Sequence, residues 1–210
     1  MAIHDPDLLD ALESLGSEEL ENATVWRHMF NDNPPELSNT RGARWNPAGL
    51  AAIYTSEDRE SAIAEGQHAM DMQPLRPKAK RFVYELRVSA KKVLRIRRSD
   101  LPAVGLDESD LESIDFSACQ RVGAHAAFLE YDAIIVPSAR ADGTNVVISS
   151  TNSPPNPPSS ELTKRKSTDR GYPPGKGARY GVHHHGSGGN SDGVGDPGSG
   201  LTAVAQSVAQ

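Results

Sequence analysis

Hydrophobic positions near the start of the chain recur every three or four residues over positions 6–20, and the positions between them are largely acidic or polar. The apolar positions are Leu8, Leu9, Leu12 and Leu15. This period is typical of a helix that buries one stripe and solvates the opposite face. We therefore predict an acidic N-terminal helix within residues 1–22, ahead of the main domain.

Strands are predicted where apolar positions alternate or run together. Residues 81–89 alternate between two faces, which indicates a strand with one buried side. Residues 133–136 are apolar at every position and predict a buried strand, and Asp142-Gly143 then predicts a hairpin turn. Further strands are predicted at 24–30, 50–54, 93–96 and 145–148.

A helix is predicted to follow Thr55-Ser56-Glu57-Asp58 and to continue to about residue 71. A hydroxyl cap followed by acids in the first turn satisfies the free amides and favours the helix dipole. Small residues share one face of this helix beside Glu65, and they permit close approach of backbone or ligand. They are Ala62, Gly66 and Ala69.

A second helix is predicted at 118–130 from its apolar spacing. Together the elements predict a single α+β domain over residues 23–150, with a mixed, mostly antiparallel sheet and two or three helices.

The composition changes after about residue 150. Residues 151–210 are rich in Pro, Gly and Ser, with a proline-rich run at 153–160 and a Gly/Ser/Asp run at 186–200. Such a segment buries too little apolar surface to offset its chain entropy, so a disordered C-terminal tail is predicted. The remaining 150 residues suit one domain with one core.

Charge argues against nucleic acid as a direct partner. The chain carries 22 Lys and Arg against 28 Asp and Glu, a net charge of −6. The tail holds 6 of those cations and 4 of those acids, which leaves 16 and 24, or −8, for residues 1–150. An acidic domain does not neutralise phosphates well. Lys164-Arg165-Lys166 is interpreted as part of a solvated tail.

Targeting and metal-binding signals are weak. Cys119 is the single cysteine, so neither a disulfide nor a thiolate metal cage is expected. The N-terminus lacks a signal-peptide pattern, and no run approaches the roughly 18 apolar residues of a membrane span. His183-His184-His185 lies in a Gly-rich stretch without preorganised geometry. We expect a cytoplasmic protein without a metal site or a membrane partner.

Three charged residues lie where folding alone gives little reason for a charge. Arg27 follows an aromatic residue in an apolar run, Arg44 lies in a Gly/Asn/Pro loop, and Glu65 occupies the small-residue face of a helix. Two cations and a carboxylate at one pocket suit a substrate with phosphates at one end and a carbocation-like centre at the other.

Each of these residues also has a structural interpretation. Arg27 could pair with a carboxylate such as Glu36, and Arg44 could close its loop on backbone carbonyls. Glu65 could be the ion-pair partner of either arginine.

Four further polar residues are open to the same alternative. Tyr54 could be a core residue with its hydroxyl at the rim, and Ser138 could be an ordinary strand-end serine. His125 is interpreted as a packing residue, and Cys119 as a small core residue.

The order of several short motifs resembles the RES domain family, which is named for its Arg, Glu and Ser residues. The resemblance covers about residues 24–148 and depends on the whole set of motifs. In order, the motifs are Trp26-Arg27, Arg41-Gly42-Ala43-Arg44-Trp45-Asn46, Ile53-Tyr54-Thr55-Ser56, Ala64-Glu65, Gly123-Ala124-His125-Ala126-Ala127-Phe128-Leu129 and Val136-Pro137-Ser138-Ala139-Arg140.

The resemblance implies a fold related to the ADP-ribosyltransferases and NAD+ as the substrate, with no metal. It implies a toxin of a toxin–antitoxin system that cleaves the nicotinamide N-glycosidic bond, with water or phosphate as acceptor. Transfer of ADP-ribose to a protein is the alternative reaction. The implied partner is a helix-turn-helix antitoxin that blocks the pocket. A non-catalytic module that pairs with a regulatory protein remains the alternative from another class.

Matched motif by motif, the family's functional positions fall on five residues. The expected catalytic residues are Glu65, Arg27 and Ser138, and the expected NAD+-binding residues are Arg27, Arg44, Tyr54 and Ser138. Glu65 would stabilise an oxocarbenium-like state, and an arginine fork would bind the diphosphate. Tyr54 would stack on nicotinamide, and Ser138 would hydrogen-bond the ribose or the amide.

Overall fold

The computed structural model describes residues 4–31, 33–72, 80–149 and 165–168. All of them belong to Met1–Asp169, the first of the two units into which the chain divides. The helices are α1 (Pro6–Ser14), α2 (Arg59–Asp71), α3 (Glu108–Glu112) and α4 (Ser117–Phe128), with a 3₁₀ helix at Arg98–Val104. The strands are β1 (Glu18–Phe30), β2 (Ala52–Ser56), β3 (Arg81–Arg95), β4 (Ala133–Pro137), β5 (Thr144–Ser149) and β6 (Arg165–Thr168).

The six strands form one mixed sheet in the order β1-β2-β5-β4-β3-β6. Only the β3–β4 pairing is parallel among these strands. Strand β1 pairs with β2 at Trp26 and also with β3, so that five strands form a ring. β4 and β6 both pair with the edge of β3 that faces away from β1. β6 pairs near the start of β3, and β4 pairs near its end. The predicted α+β class with a mostly antiparallel sheet is therefore confirmed.

The N-terminal helix is shorter than predicted. It ends at Ser14 rather than at residue 20, and β1 begins at Glu18. Gly16 has a φ of 76°, a left-handed conformation that commonly terminates helices. Residues 18–22, predicted to lie in the helical segment 1–22, instead extend β1 along β3, because tertiary pairing overrides local composition.

The middle of the chain differs from prediction in two ways. The strands predicted at 81–89 and 93–96 are parts of the continuous strand β3. The 3₁₀ helix and α3 were not predicted, although Asp107 accepts hydrogen bonds from the first turn of α3 in a capping arrangement.

The start of α2 also differs from prediction. A hydroxyl cap was predicted, but β2 continues through Ser56, and the side chain of Asp58 caps α2. The predicted hairpin between β4 and β5 is confirmed.

Part of the predicted tail is also a strand. Arg165–Thr168 pairs antiparallel with β3, whose open edge offers backbone donors and acceptors. The other residues of the predicted tail, including His183-His184-His185, lie outside the described residues.

Two hydrophobic clusters lie on opposite faces of the central strands. Ile134 and Val136 of β4 face a cluster built with α1 and α4, whereas Ala133 and Ile135 face a cluster built mainly from β1 and β3. The alternation along β4 therefore explains why every position of that strand is apolar.

His125 joins the N-terminus to α4. Its Nε2 accepts a hydrogen bond from the backbone N–H of Asp5 (2.9 Å), and its Nδ1 lies 2.7 Å from the carbonyl oxygen of Arg121. Since Nε2 accepts, Nδ1 carries the proton and donates to Arg121. His125 is buried, and its ring lies edge-on to the ring of His4, with 5.3 Å between the ring centres.

Helix α2 lies close to β1 through Gly66. A Cβ atom at Gly66 would come within 2.3 Å of the His28 ring, so only glycine permits this approach without displacement. The small-residue face predicted for α2 therefore packs on a β1 side chain, and this contact sets the height at which Glu65 projects.

Candidate active site

Glu65 projects from α2 towards the loop between β4 and β5. Its Oε1 accepts hydrogen bonds from Ser138 Oγ (2.7 Å) and from Asn145 Nδ2 (2.9 Å). Within the described part of the chain, no donor contacts Oε2. Two donors on one oxygen orient the carboxylate and leave its second oxygen available to a ligand.

Ser138 is fully buried immediately after β4. Its Oγ accepts hydrogen bonds from the backbone N–H groups of Arg140 (3.1 Å) and Ala141 (3.2 Å). Because these amides occupy the oxygen's acceptor positions, its proton is directed to Glu65. The carbonyl oxygen of Ser138 accepts a further hydrogen bond from Arg98 Nη2 (3.0 Å). Ser138 is thus a fixed donor.

Asn145 is a member of this network that was not predicted. Its Oδ1 accepts a hydrogen bond from Ser56 Oγ (2.9 Å), while its Nδ2 donates to Glu65. Ser56 lies directly opposite Asn145 in the β2–β5 register. The available signal was a polar pair, Ser56 and Asn145, at the ends of two apolar strands, but their register is a tertiary property.

Arg44 lies at the rim of the same region. Its Nη1 donates to the carbonyl oxygens of Asp110 and Ser113, each at 3.0 Å, and its guanidinium lies 4.5 Å from the centre of the Phe116 ring. Burial lowers the pKa of Arg44, and the electrostatic influence of Glu65 opposes that shift. Arg44 thus binds backbone carbonyls, as the structural interpretation proposed, but they belong to α3 and its flank.

Arg140 and Arg44 provide positive charge in this region, and both act electrostatically on His68. His68 follows Glu65 by three residues on α2, which places both on one face. Burial lowers the pKa of His68, and the charges of Arg140 and Arg44 lower it further. Among the described residues, the Arg140 guanidinium forms neither a hydrogen bond nor an ion pair. Neither Arg140 nor His68 was predicted as a site residue. Arg140 lies within one of the motifs that resemble the RES domain, and the helical period that places His68 beside Glu65 was the signal that could have identified His68.

Tyr54 positions the loop that carries Arg44. Its hydroxyl donates to Asn46 Oδ1 (2.7 Å) and accepts from the backbone N–H of Trp45 (2.9 Å). Burial raises the pKa of Tyr54, so the phenol stays protonated and keeps donating. The same loop approaches α4 at Gly123, where a Cβ atom would lie 1.8 Å from the Trp45 carbonyl oxygen.

Arg27 lies on the opposite face of β1 from α2. His28 packs against Gly66 of α2, and adjacent strand residues point to opposite sides. The guanidinium donates to the carbonyl oxygens of Pro35 and Leu37, the latter at 2.7 Å. Burial lowers the pKa of Arg27 to about 10, and Glu36 opposes that shift.

The predicted residues are therefore brought together unequally. Glu65 and Ser138 are in direct contact, Arg44 lies within electrostatic range of Glu65, and Tyr54 holds the Arg44 loop. Arg27 binds a different loop, and in the described part of the chain it forms no hydrogen bond with the other four.

Other features contribute less to a site. Cys119 is buried, as predicted, and burial raises the pKa of its thiol. A small, mostly apolar cavity of about 20 Å³ lies between residues 45–52 and α4, and Glu65 does not line it. No group of His, Cys, Asp and Glu suited to a metal ion occurs in the described segments. None of the helices in those segments is long and apolar enough to cross a membrane.

The sequence of this chain is similar to those of named mycobacterial proteins. The proteins named NAD(+) phosphorylase MbcT from Mycobacterium tuberculosis and Mycobacterium bovis are 32% identical over 108 residues. The match covers 49% of this chain and 58% of each relative, so the chain spans little more than half of the length of the curated relatives it matches.

A solved structure is similar over a larger region. One chain of the crystal structure of the M. tuberculosis MbcT-MbcA toxin-antitoxin complex superposes with a TM-score of 0.67 at 25% sequence identity. The match covers 79% of this chain and 93% of that chain. The family model described as the RES domain matches residues 22–166. The chain belongs to the RES domain family.

Proposed function

We propose that this protein is an NAD+-consuming toxin that breaks the bond between nicotinamide and ribose. The observation that carries the proposal is the Glu65 carboxylate, whose Oε1 is held by Ser138 and Asn145 while Oε2 accepts no hydrogen bond from described residues. A fixed carboxylate with one available oxygen suits a reacting centre that gains positive charge.

The chemistry requires little else from the protein. Nicotinamide in NAD+ is already cationic, so it leaves as a neutral molecule and takes the electron pair of the glycosidic bond. The ribose carbon then gains oxocarbenium character, as in glycoside hydrolysis. A preorganised charge of this kind is worth about 3–4 kcal/mol, or roughly a hundred- to a thousandfold in rate. No step needs a metal.

The other predicted residues take proposed roles that follow from their contacts. Ser138 acts mainly by holding Glu65, since its hydroxyl proton is committed there. Arg44 provides positive charge for the diphosphate, and Tyr54 holds the Arg44 loop in addition to the proposed contact with nicotinamide. Arg27 is proposed to reach the substrate only if the loop at residues 35–37 releases its guanidinium.

Phosphate is the acceptor we favour, with water as the alternative. The relatives named NAD(+) phosphorylase support phosphate, and the positive potential beside Glu65 is compatible with an anionic acceptor. Transfer to a protein would retain the same carboxylate but would require an acceptor side chain from a partner.

A protein antitoxin is the proposed partner. The support is the similar structure titled as a toxin-antitoxin complex, and we propose that the antitoxin is a helix-turn-helix protein. An enzyme that consumes NAD+ as a toxin acts where NAD+ is abundant, so we propose a cytoplasmic location.

The products of adenine-labelled NAD+ test this function and separate its alternatives. Purified protein freed of any copurified partner is expected to release nicotinamide and, with phosphate, to yield phosphorylated ADP-ribose. Free ADP-ribose would identify water as the acceptor, and label retained on protein would identify transfer. No nicotinamide release with or without phosphate would contradict the proposal and favour a non-catalytic binding module.

A further inference from the structure

An arginine whose guanidinium has no partner among the described residues lies next to the proposed reacting centre. The backbone N–H of Arg140 donates to Ser138 Oγ, which in turn donates to Glu65. The Arg140 backbone is therefore two hydrogen bonds away from the carboxylate. Its guanidinium is half-buried and forms no hydrogen bond or ion pair with any residue that the structure describes.

Arg140 differs in this respect from the other arginines around it. Arg44 uses its Nη1 on the carbonyls of Asp110 and Ser113, and Arg98 binds the Ser138 carbonyl and Glu108. A planar guanidinium with all five N–H donors available is suited to bind an oxyanion.

His68 provides a second donor on the neighbouring helix. It shares a face of α2 with Glu65, and both Arg140 and Arg44 act on it electrostatically. The carboxylates that act electrostatically on His68 are Glu65, which is engaged by two donors, and Asp71, which accepts from Gln67 Nε2. Neither carboxylate forms an ion pair with Arg140 in the described segments.

We propose that Arg140 and His68 bind the inorganic phosphate that attacks the ribose. This inference depends on the proposed function and adds the acceptor site to it. An anionic nucleophile must come close to the Glu65 carboxylate to reach the ribose carbon, and like charges repel. Cationic and N–H donors beside Glu65 offset that repulsion, whereas arginines that bind the NAD+ diphosphate can lie further from the reacting carbon.

The bond exchange balances without another reactant. A phosphate oxygen forms a bond to the ribose carbon with its own electron pair, and the bond from that carbon to the nicotinamide nitrogen breaks. The nitrogen keeps the electron pair and becomes neutral, so the products are nicotinamide and ADP-ribose phosphorylated on the reacting ribose carbon. No oxidation occurs.

The test compares the dependence of rate on phosphate with its dependence on NAD+. Arg140→Ala and His68→Gln are each expected to raise the KM for phosphate at least tenfold and to change the KM for NAD+ less than threefold. Arg140→Lys should recover part of the loss, because it keeps the charge but not the fork. Arg97→Ala, which removes a largely exposed arginine elsewhere, is the matched control.

Phosphate binding in the absence of NAD+ makes the test independent of turnover. Line broadening of inorganic phosphate in ³¹P NMR is expected with the wild-type protein and the Arg97→Ala control, and should be lost in Arg140→Ala. Turnover with an unchanged KM for phosphate, or a rise in the KM for NAD+ alone, would overturn the phosphate site and leave the proposed function intact. If the wild-type protein bound phosphate and Arg140→Ala did not, but the wild-type protein turned over no NAD+, the phosphate site would be retained and the proposed function would be contradicted.

Discussion

Glu65 accepts both of its hydrogen bonds on the same oxygen, and each donor is fixed by further hydrogen bonds of its own. Asn145 is oriented by Ser56, and the Ser138 hydroxyl by two backbone amides. Asn145 is therefore a positioning residue for Glu65, since it acts on the carboxylate and not on a substrate. A hydrogen bond to a charged group contributes about 1.5–3 kcal/mol.

Replacing Asn145 tests this role through pH dependence. Asn145→Ala should lower kcat/KM roughly 10- to 100-fold, the equivalent of that hydrogen bond. Asn145→Asp places a second carboxylate near Glu65, and such a pair shares one proton. The protonated Asp donates as the amide did, so activity should be retained at low pH and fall as pH rises and that proton is lost.

Thr55, which precedes Ser56 on β2, provides a control that also loses one hydrogen bond. Thr55→Val removes the hydrogen bond from Thr55 Oγ1 to the Val146 carbonyl (2.8 Å), on the opposite face of the sheet from Ser56. It should reduce stability without altering the pH profile. An Asn145→Asp profile that matches the wild-type profile would refute the positioning role.

The imidazole of His68 reports on the charges around Glu65. Burial and the neighbouring arginines lower its pKa below the ordinary value of 6.5. Because the folded protein binds a proton at His68 less readily than the unfolded chain, this group favours folding above pH 6.5, and that contribution is lost as pH falls.

An NMR titration of His68 measures this influence directly. The pKa of His68 should rise in Arg140→Ala, since one of the charges that lower it is removed, and should rise in wild-type protein when phosphate is added. An unchanged pKa in Arg140→Ala would mean that the two side chains are too far apart to interact.

At the scale of elements, the position of α2 depends on Gly66. A methyl group there would meet the His28 ring at 2.3 Å, and overpacking of this kind typically costs about 1–3 kcal/mol. Gly66→Ala should therefore lower the free energy of unfolding measured with urea, and should also reduce NAD+ turnover by displacing Glu65.

The double variant separates this contact from a general effect on the helix. Combining Gly66→Ala with His28→Ala removes the ring that the methyl group meets, so the two changes should destabilise the protein by less than their sum. Strictly additive effects in the double-mutant cycle would argue that His28 is not what Gly66 accommodates.

Elements with a strong local pattern were predictable, and those that depend on pairing were not. The hairpin after β4 and helix α4 follow from turn chemistry and apolar period. Residues 18–22 form a strand only because β3 lies beside them, and α3 is too short to show a period.

The same division applies to the candidate site. Glu65 and Ser138 were predictable because each occurs in a motif, whereas Asn145 and Ser56 depend on the register of β2 with β5. Arg27 occurs in a motif but lies on the opposite face of β1 from α2, and no motif reports the direction of a side chain.

At the scale of the whole molecule, the ring of five strands separates two environments. Arg27 and its loop lie on one side of β1, and Glu65, Ser138 and Asn145 converge on the other, where α2 closes the region. We therefore predict that catalysis is concentrated at Glu65, and that Arg27 contributes only if the loop at residues 35–37 releases its guanidinium.

The measurement that tests this central claim most directly is nicotinamide release by wild-type protein and by Glu65→Gln. Glutamine keeps an oxygen that accepts from Ser138 and Asn145, so the fold should be preserved, which circular dichroism and urea unfolding would verify. We predict a loss of roughly a hundred- to a thousandfold in rate, because only the charge is removed. A folded Glu65→Gln protein that releases nicotinamide at the wild-type rate would contradict the account.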